Sequence, residues 1–154
     1  MNDFNLEITK ENEIIIIKTS GYLNNIGGEK ISEACYSEIE NGAKYFLLSH
    51  MRGHIADMDK IVSICNSMDI SLIEDCAHTM GAKWNGVRSG NFGTVSAFST
   101  QTYKHMNSGE GGFLTTNNPE LAAKAVVSSG SYMLYDRHGA IPAEKIFRKI
   151  RHTF

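Results

Sequence analysis

Long hydrophobic runs are missing from this 154-residue sequence: the longest aliphatic stretch is Ile14 to Ile17, where a membrane-spanning helix needs about 20 apolar residues. Membrane insertion is therefore not expected. The amino terminus, MNDFNLEITKENE, is polar and acidic where a secretory signal needs a basic and then an apolar stretch, so a cytoplasmic location is expected. Cysteine is scarce and odd in number. Cys35, Cys65 and Cys76 are widely spaced, which argues against a disulfide framework and reads as reduced thiols used for packing. A formal net charge of -2 leaves no polybasic footprint for nucleic acid or membrane. Proline occurs twice, no Pro/Gly-rich linker marks a boundary, and no internal repeat is present. No GxGxxG occurs and SGEGG lacks the Gly-Lys-Ser/Thr of a P-loop, so nucleotide binding is not expected.

What is present is ordinary globular material, 42% apolar and 21% charged, in one domain's length of chain. FNLEITKE alternates and NEIIIIKTSG is a continuous apolar run, so the two predict a hairpin. GGEKISEACYSEIENGAK carries Ile31, Ala34, Cys35, Glu38 and Ile39 at helical spacing and stops at Asn41-Gly42, a helix-ending pair. YFLLS reads as a short buried strand. Asp57 is the expected N-cap of a helix over DMDKIVSICNSMD, with Ile61, Val62, Ile64 and Cys65 as its apolar stripe, and ISLIEDC returns to strand. TVSAFS and GGFLTT are further strands, and NPELAAKAVVSSG is a helix with Pro119 in its first turn. This alternation predicts an α/β fold, layered α/β/α, with a mostly parallel sheet and hairpin-like strands at the amino end.

In such folds ligands collect where strands end. Asp75 in LIEDCAH stands at one such end, His78 comes three residues later, and Ser99 and Lys104 in STQTYKHMNSGEGG stand at or just past another. Taken singly, Asp75 caps the next segment and His78 is a satisfied structural histidine. Together they match pyridoxal 5'-phosphate, whose aldehyde wants a lysine, whose ring nitrogen wants a carboxylate and whose phosphate wants hydroxyls and backbone N–H groups. A purely structural loop accounts for the spacing as well. His50 and His54 are weighed as metal ligands with Cys76 or His78, but no compact ligand set accompanies them and no metal is expected. Lys83, Arg88 and Arg137 read as solvated charges, with Arg88 near SGNFG able to face a carboxylate.

From Ser49 to Phe154, the segments SHMRGHIADMDKIV, LIEDCAHTMGAKWNGVRSGNFGTVSAFSTQTYKHMNSGEGGFLTT and GSYMLYDRHGA resemble the central part of the DegT/DnrJ/EryC1/StrS aminotransferases, fold-type I enzymes that build amino sugars. The resemblance implies that Lys104 bonds to the aldehyde of pyridoxal phosphate, that Asp75 partners the ring nitrogen, that His78 lies at the ring and its phenolic oxygen, and that Ser99 binds phosphate. It also implies an amino donor and a keto-sugar as substrates, a dimer, and part of an aminotransferase large domain. The family's Glu-Gly-Gly after the lysine is present as Glu110-Gly111-Gly112, whereas its aromatic or proline-containing approach to the lysine is here TQTY.

Residues 1 to about 48 are instead similar to the first half of a STAS domain, the anti-sigma-factor-antagonist fold, with SGYLN standing where that family has Gly-Tyr-Leu. The serine on which STAS switches depend is missing, because the chain has turned into SHMRGH by then. The expected organisation is thus a hybrid, 1–48 STAS-like and 49–154 aminotransferase-like, joined within or just after YFLLS. AEKIFRKIRHTF starts a helix and ends before the family's later segment, so the resemblance implies one side of an active site, weak or inactive alone. The alternative reading is a STAS-like interaction module without catalysis.

Overall fold

The computed structural model describes residues 4–11, 14–20 and 25–129, and these fall into two compact units that divide between Lys44 and Tyr45. In the first unit, β1 (Asn5–Glu11) and β2 (Ile14–Ser20) pair antiparallel from Asn5 opposite Ser20 to Glu11 opposite Ile14, giving the expected hairpin. Helix α1 (Asn25–Glu40) packs against both strands. Its buried positions, Ala34 and Glu38, lie on the face predicted from spacing, and Lys10 of β1 pairs with the Glu38 carboxylate at 2.9 Å. The helix stops where Gly42 adopts a φ of 96°, a conformation that costs glycine little and other residues more. The N–H groups of Asn41, Gly42 and Ala43 there bond to the carbonyls of Ser37, Ile39 and Glu38.

The second unit is built on a four-stranded mixed sheet in the order β3 (Tyr45–Ser49), β4 (Ser71–Asp75), β7 (Val95–Ser99), β8 (Gly112–Thr115). The first two pairings are parallel, with Ser49 opposite Asp75 and Asp75 opposite Ala97, while β8 returns antiparallel with Gly112 opposite Ser99. Phe98 and Phe113, paired across β7 and β8, stack with ring centroids 4.9 Å apart.

Helix α2 (Met58–Ser67) packs on β4 and is capped as expected, Asp57 accepting from the N–H of Lys60 at 3.2 Å. Met58, Cys65 and Leu72 form the buried centre, with Phe46, Leu48, Ile61, Val62, Trp84 and Phe92 packed around it. Ile64 does not belong to that stripe and is 44% exposed. The run of apolar residues is wider than the face that the sheet covers, and Met58, one turn before Ile61, takes the buried place.

A two-stranded hairpin that the strand reading passed over joins β4 to β7: β5 (Lys83–Trp84) and β6 (Val87–Arg88) meet at Asn85-Gly86, with φ of 46° and 85°. Asn-Gly between short apolar stretches is the strongest local hairpin signal, and KWNGVR carries it. Trp84 Nε1 and Asn85 Nδ2 both donate to Asp59, which ties the hairpin to α2. Helix α3 (Pro119–Ser128) begins with Asn118 accepting from the N–H groups of Glu120 and Leu121 and Pro119 in its first turn. GSYMLYDRHGA, Arg137 and the helix expected in AEKIFRKIRHTF lie outside the described residues. No helix of the described residues is long and apolar enough to cross a membrane.

Candidate functional site

Strand alternation decides which of two consecutive carboxylates faces what. Glu74 and Asp75 end β4, and neighbours in a strand point to opposite sides of the sheet. Glu74 goes into the interior and is fully buried, whereas Asp75 stands at the carboxyl end of the strand, half-buried. Both oxygens of Asp75 are held: Ser49 Oγ donates to Oδ2 at 2.7 Å and the N–H of Ala77 donates to Oδ1 at 3.0 Å. Burial pushes its carboxyl up, but those two hydrogen bonds and the nearby charge of Lys104 outweigh it and hold the group below the usual carboxylate range.

The Lys104 ammonium reaches the same place from the β7–β8 connection. Its Nζ lies 3.1 Å from His78 Nε2. An ammonium has only protons to offer, so the contact makes His78 Nε2 the acceptor and puts the imidazole proton on Nδ1. Three of the four residues singled out in the sequence, Asp75, His78 and Lys104, are therefore brought together. Ser99 ends β7, two residues past the partner of Asp75, and hydrogen-bonds to none of the three. Its oxygen accepts from the N–H of Gln101 at 3.3 Å, which leaves the hydroxyl proton free to be given to another acceptor.

The approach TQTY has a defined shape. Lys104 N–H bonds to Gln101 carbonyl at 2.9 Å, the N–H of Tyr103 to Gln101 Oε1, and Thr102 Oγ1 to the carbonyl of Gly109. Ser108 closes the loop by donating its N–H to the carbonyl of Thr100, which itself donates its N–H to the carbonyl of Gly111. Gly111 has a φ of 117°, and a Cβ there would press on Thr100 Oγ1 at 3.3 Å. A Cβ on Gly112 would run into the carbonyl of Phe98. The Glu-Gly-Gly segment is thus the return into β8, and its glycines let backbone pass close to backbone.

Glu74 is the residue that sequence reasoning missed. Its Oε1 accepts from the N–H of Phe92 (2.9 Å) and Gly93 (2.7 Å) and from Ser96 Oγ (3.1 Å), and its Oε2 from the N–H of Gly90 (3.1 Å) and from His50 Nε2 (3.2 Å). Burial would raise this carboxyl, yet the N–H groups of Gly93, Gly90 and Phe92 and the His50 contact bring it below its ordinary value. SGNFG is the signal that could have found it, because a buried loop rich in glycine N–H groups needs an anion or carbonyl to receive them. Arg88 is exposed, in keeping with its reading as a solvated charge, and the Glu74 carboxylate near SGNFG is received by backbone N–H groups.

His50, Glu74 and Cys76 bring possible metal-ligand atoms within 4.8 Å of one another. His50 comes directly after β3 rather than sharing a helix face with His54, which is exposed. A cation would have to displace the donors that already occupy both Glu74 oxygens. Burial pushes the Cys76 thiol up to about 11, so it is not a thiolate at neutral pH. The group reads as a structural anchor joining β3, β4 and the SGNFG loop. Cys35, Cys65 and Cys76 are all free thiols.

The DegT/DnrJ/EryC1/StrS aminotransferase family model matches residues 25–149. Among curated relatives, the putative L-glutamine:3-amino-2,3-dideoxy-scyllo-inosose aminotransferase of Micromonospora echinospora is 38% identical over 97 residues, 63% of this chain and 22% of that protein. Among solved structures, a DegT DnrJ EryC1 StrS aminotransferase from Brucella abortus superposes with a TM-score of 0.57 at 31% identity, covering 62% of this chain and 27% of that one. A GDP-4-keto-6-deoxymannose-3-dehydratase with a trapped PLP-glutamate geminal diamine gives a TM-score of 0.54 at 31% identity over 59% of this chain and 24% of its own. The chain spans about a quarter of the length of the curated relatives it matches.

These matches place residues 25–48, expected to be STAS-like, within the aminotransferase family. The family model begins at residue 25 and takes in α1 and β3, and nothing supports a STAS domain. The physical reason is that an apolar strand, an amphipathic helix and a further strand are common to many α/β folds, so that pattern does not discriminate. The tripeptide Gly21-Tyr22-Leu23 that carried the rest lies outside the described residues.

Proposed function

Because the chain belongs to the DegT/DnrJ/EryC1/StrS aminotransferase family, we propose that it carries the lysine-bearing side of a pyridoxal 5'-phosphate site of a sugar aminotransferase. The observation that carries this reading is the Lys104 Nζ at 3.1 Å from His78 Nε2, in the field of an ionised Asp75. The donor set suits the cofactor: an amine for the aldehyde, a carboxylate kept charged for the ring N–H, and at Ser99 a hydroxyl proton not committed to any neighbour for the phosphate. Pyridoxal phosphate, when bound, supplies an aldehyde that captures amines and a ring that takes up the electron pair left by a broken Cα–H bond.

The chain's residues then have distinct tasks. Lys104 Nζ would be the amine presented to the aldehyde of the bound cofactor and, as a free amine, would carry the proton to and from the substrate carbon. His78 Nε2 accepts a hydrogen bond from the Lys104 ammonium in the resting chain and so aims the amine at one spot. Asp75, kept ionised, would accept the ring N–H of the bound cofactor and favour its positive charge. Ser99 would donate to the phosphate of the bound cofactor with its oxygen still accepting from Gln101 N–H. A glutamine or glutamate donor and a keto-sugar acceptor extend the reading, supported by the names of the relatives. The three-layer α/β/α arrangement and the dimer belong to the same proposal for the whole site.

Dialysis of the chain against excess pyridoxal phosphate, with free cofactor then removed, tests the reading. Retained visible absorbance in the wild-type chain and its loss in Lys104→Ala are expected. A colourless wild-type chain overturns the proposal.

A further inference from the structure

We propose that Ser49 is a positioning residue whose hydroxyl sets the plane of the Asp75 carboxylate for a ring N–H donor. This rests on the reading of the site just given. Ser49 is the last residue of β3 and lies directly opposite Asp75 in the parallel β3–β4 pairing, which points its Oγ at Oδ2 from 2.7 Å. The hydroxyl has one proton and two acceptors in range, Asp75 Oδ2 and, at 3.6 Å, the Met51 sulfur. A charged oxygen at that distance is much the stronger acceptor and thioether sulfur a weak one, so the proton goes to Asp75.

The bond is not needed to build the sheet. Ser49 is exposed, so its hydroxyl has water available, and the two strands are already joined at this end by the N–H of His50 donating to the carbonyl of Asp75 at 3.1 Å. What the bond adds is orientation. Ala77 N–H on Oδ1 leaves the carboxylate free to turn about that contact, and a second donor on Oδ2 removes the freedom. Each oxygen keeps a further lone pair for an incoming N–H. The titratable groups facing Asp75 are His78 and Lys104, and neither donates to its oxygens, so Ser49 is the side chain that fixes them.

The test compares Ser49→Ala and Ser49→Thr in the full chain, with circular dichroism to establish that both fold. Carbon-13 NMR of the Asp75 carboxyl in the cofactor-free chain is expected to show the alanine variant titrating at higher pH than wild type and the threonine variant titrating as wild type, because a donor to the charged form is lost and then restored. Pyridoxal phosphate uptake, read by visible absorbance, is expected to weaken about tenfold in Ser49→Ala and to recover in Ser49→Thr, the effect of one hydrogen bond's orientation. Uptake in Ser49→Ala equal to wild type overturns the role of Ser49 while leaving the functional reading intact. Absence of uptake by the wild-type chain overturns that reading and this role with it. If Ser49→Ala does not fold, the threonine variant decides alone: a wild-type Asp75 titration with uptake weakened tenfold or more contradicts the proposal, and wild-type uptake supports it.

Discussion

Replacing Glu74 by glutamine changes one oxygen for an amide and removes a charge, with almost no change of volume. Five good donors converge on the carboxylate, three on Oε1 and two on Oε2. The arrangement that loses least keeps the glutamine carbonyl at Oε1, where it still receives Phe92, Gly93 and Ser96. The amide nitrogen then meets two strong former donors and the weak Cys76 thiol, whose sulfur can turn acceptor. His50 can accommodate it by moving its proton to Nδ1, which has no partner at present, and accepting at Nε2. The N–H of Gly90 cannot change sides and is left buried against another donor, at a cost of about 1–3 kcal/mol. Three charge-assisted bonds become neutral ones, each weaker by about 1 kcal/mol, partly offset by the smaller cost of burying an uncharged group. The net loss is about 2–4 kcal/mol, a large part of the stability of an ordinary domain. Urea unfolding read by fluorescence reports on this unit, since Trp84, the one tryptophan of the chain, packs against its buried centre. With a slope of about 1–3 kcal/mol per molar, the midpoint should fall by about 1–2 M. A Glu74→Gln midpoint within a few tenths molar of wild type would refute the view that this carboxylate anchors the loop.

Acidification should act on the same group: Glu74 and Asp75 have carboxyls held below their ordinary range. Their contribution to stability is fully present above the unfolded carboxylate value and is lost as pH falls through the lowered folded one. Thermal melts should therefore be flat from neutral pH to about 5 and fall progressively below it, with a shallower fall in Glu74→Gln. Gly93→Ala would place a Cβ 2.9 Å from the carbonyl of Leu72 and 3.2 Å from that of Val95, both backbone atoms that cannot yield cheaply. It should destabilise the unit by about 1–3 kcal/mol in the same urea assay. His78→Ala should change stability in the urea assay by no more than about 0.5 kcal/mol, because the residue is only half-buried, yet weaken pyridoxal phosphate uptake severalfold. Equal uptake would show that aiming the Lys104 amine is of no consequence.

The helices and main strands were legible because their signals are local: Asp57 caps α2, Asn118 caps α3, and Gly42 ends α1. The cluster of Asp75, His78 and Lys104 was legible for a related reason, since each falls where a predicted strand gives way to a loop. The antiparallel return of β8 was not, because strand direction depends on how the Thr100–Gly111 connection closes, through bonds such as Thr100 N–H to Gly111 that spacing does not reveal. Glu74 was hidden by its neighbour. In LIED either carboxylate could have been the one at the strand end, and only the SGNFG loop, about 16 to 19 residues later, makes burial of the first tolerable. Ser49 was invisible for a similar reason, as its meaning lies in the register of β3 against β4. The STAS-like reading of the amino end rested on an apolar strand and a helix pattern that many α/β folds share, which is why it finds no support.

The central claim is that one amine in this chain is set apart to bond to an aldehyde. Borohydride reduction of the chain after loading with pyridoxal phosphate, with peptide mapping of the product, measures this directly. The account predicts one dominant label, at Lys104, which lies beside His78 and Asp75. Label distributed evenly over the exposed lysines, Lys60, Lys83 and Lys124 among them, would contradict it.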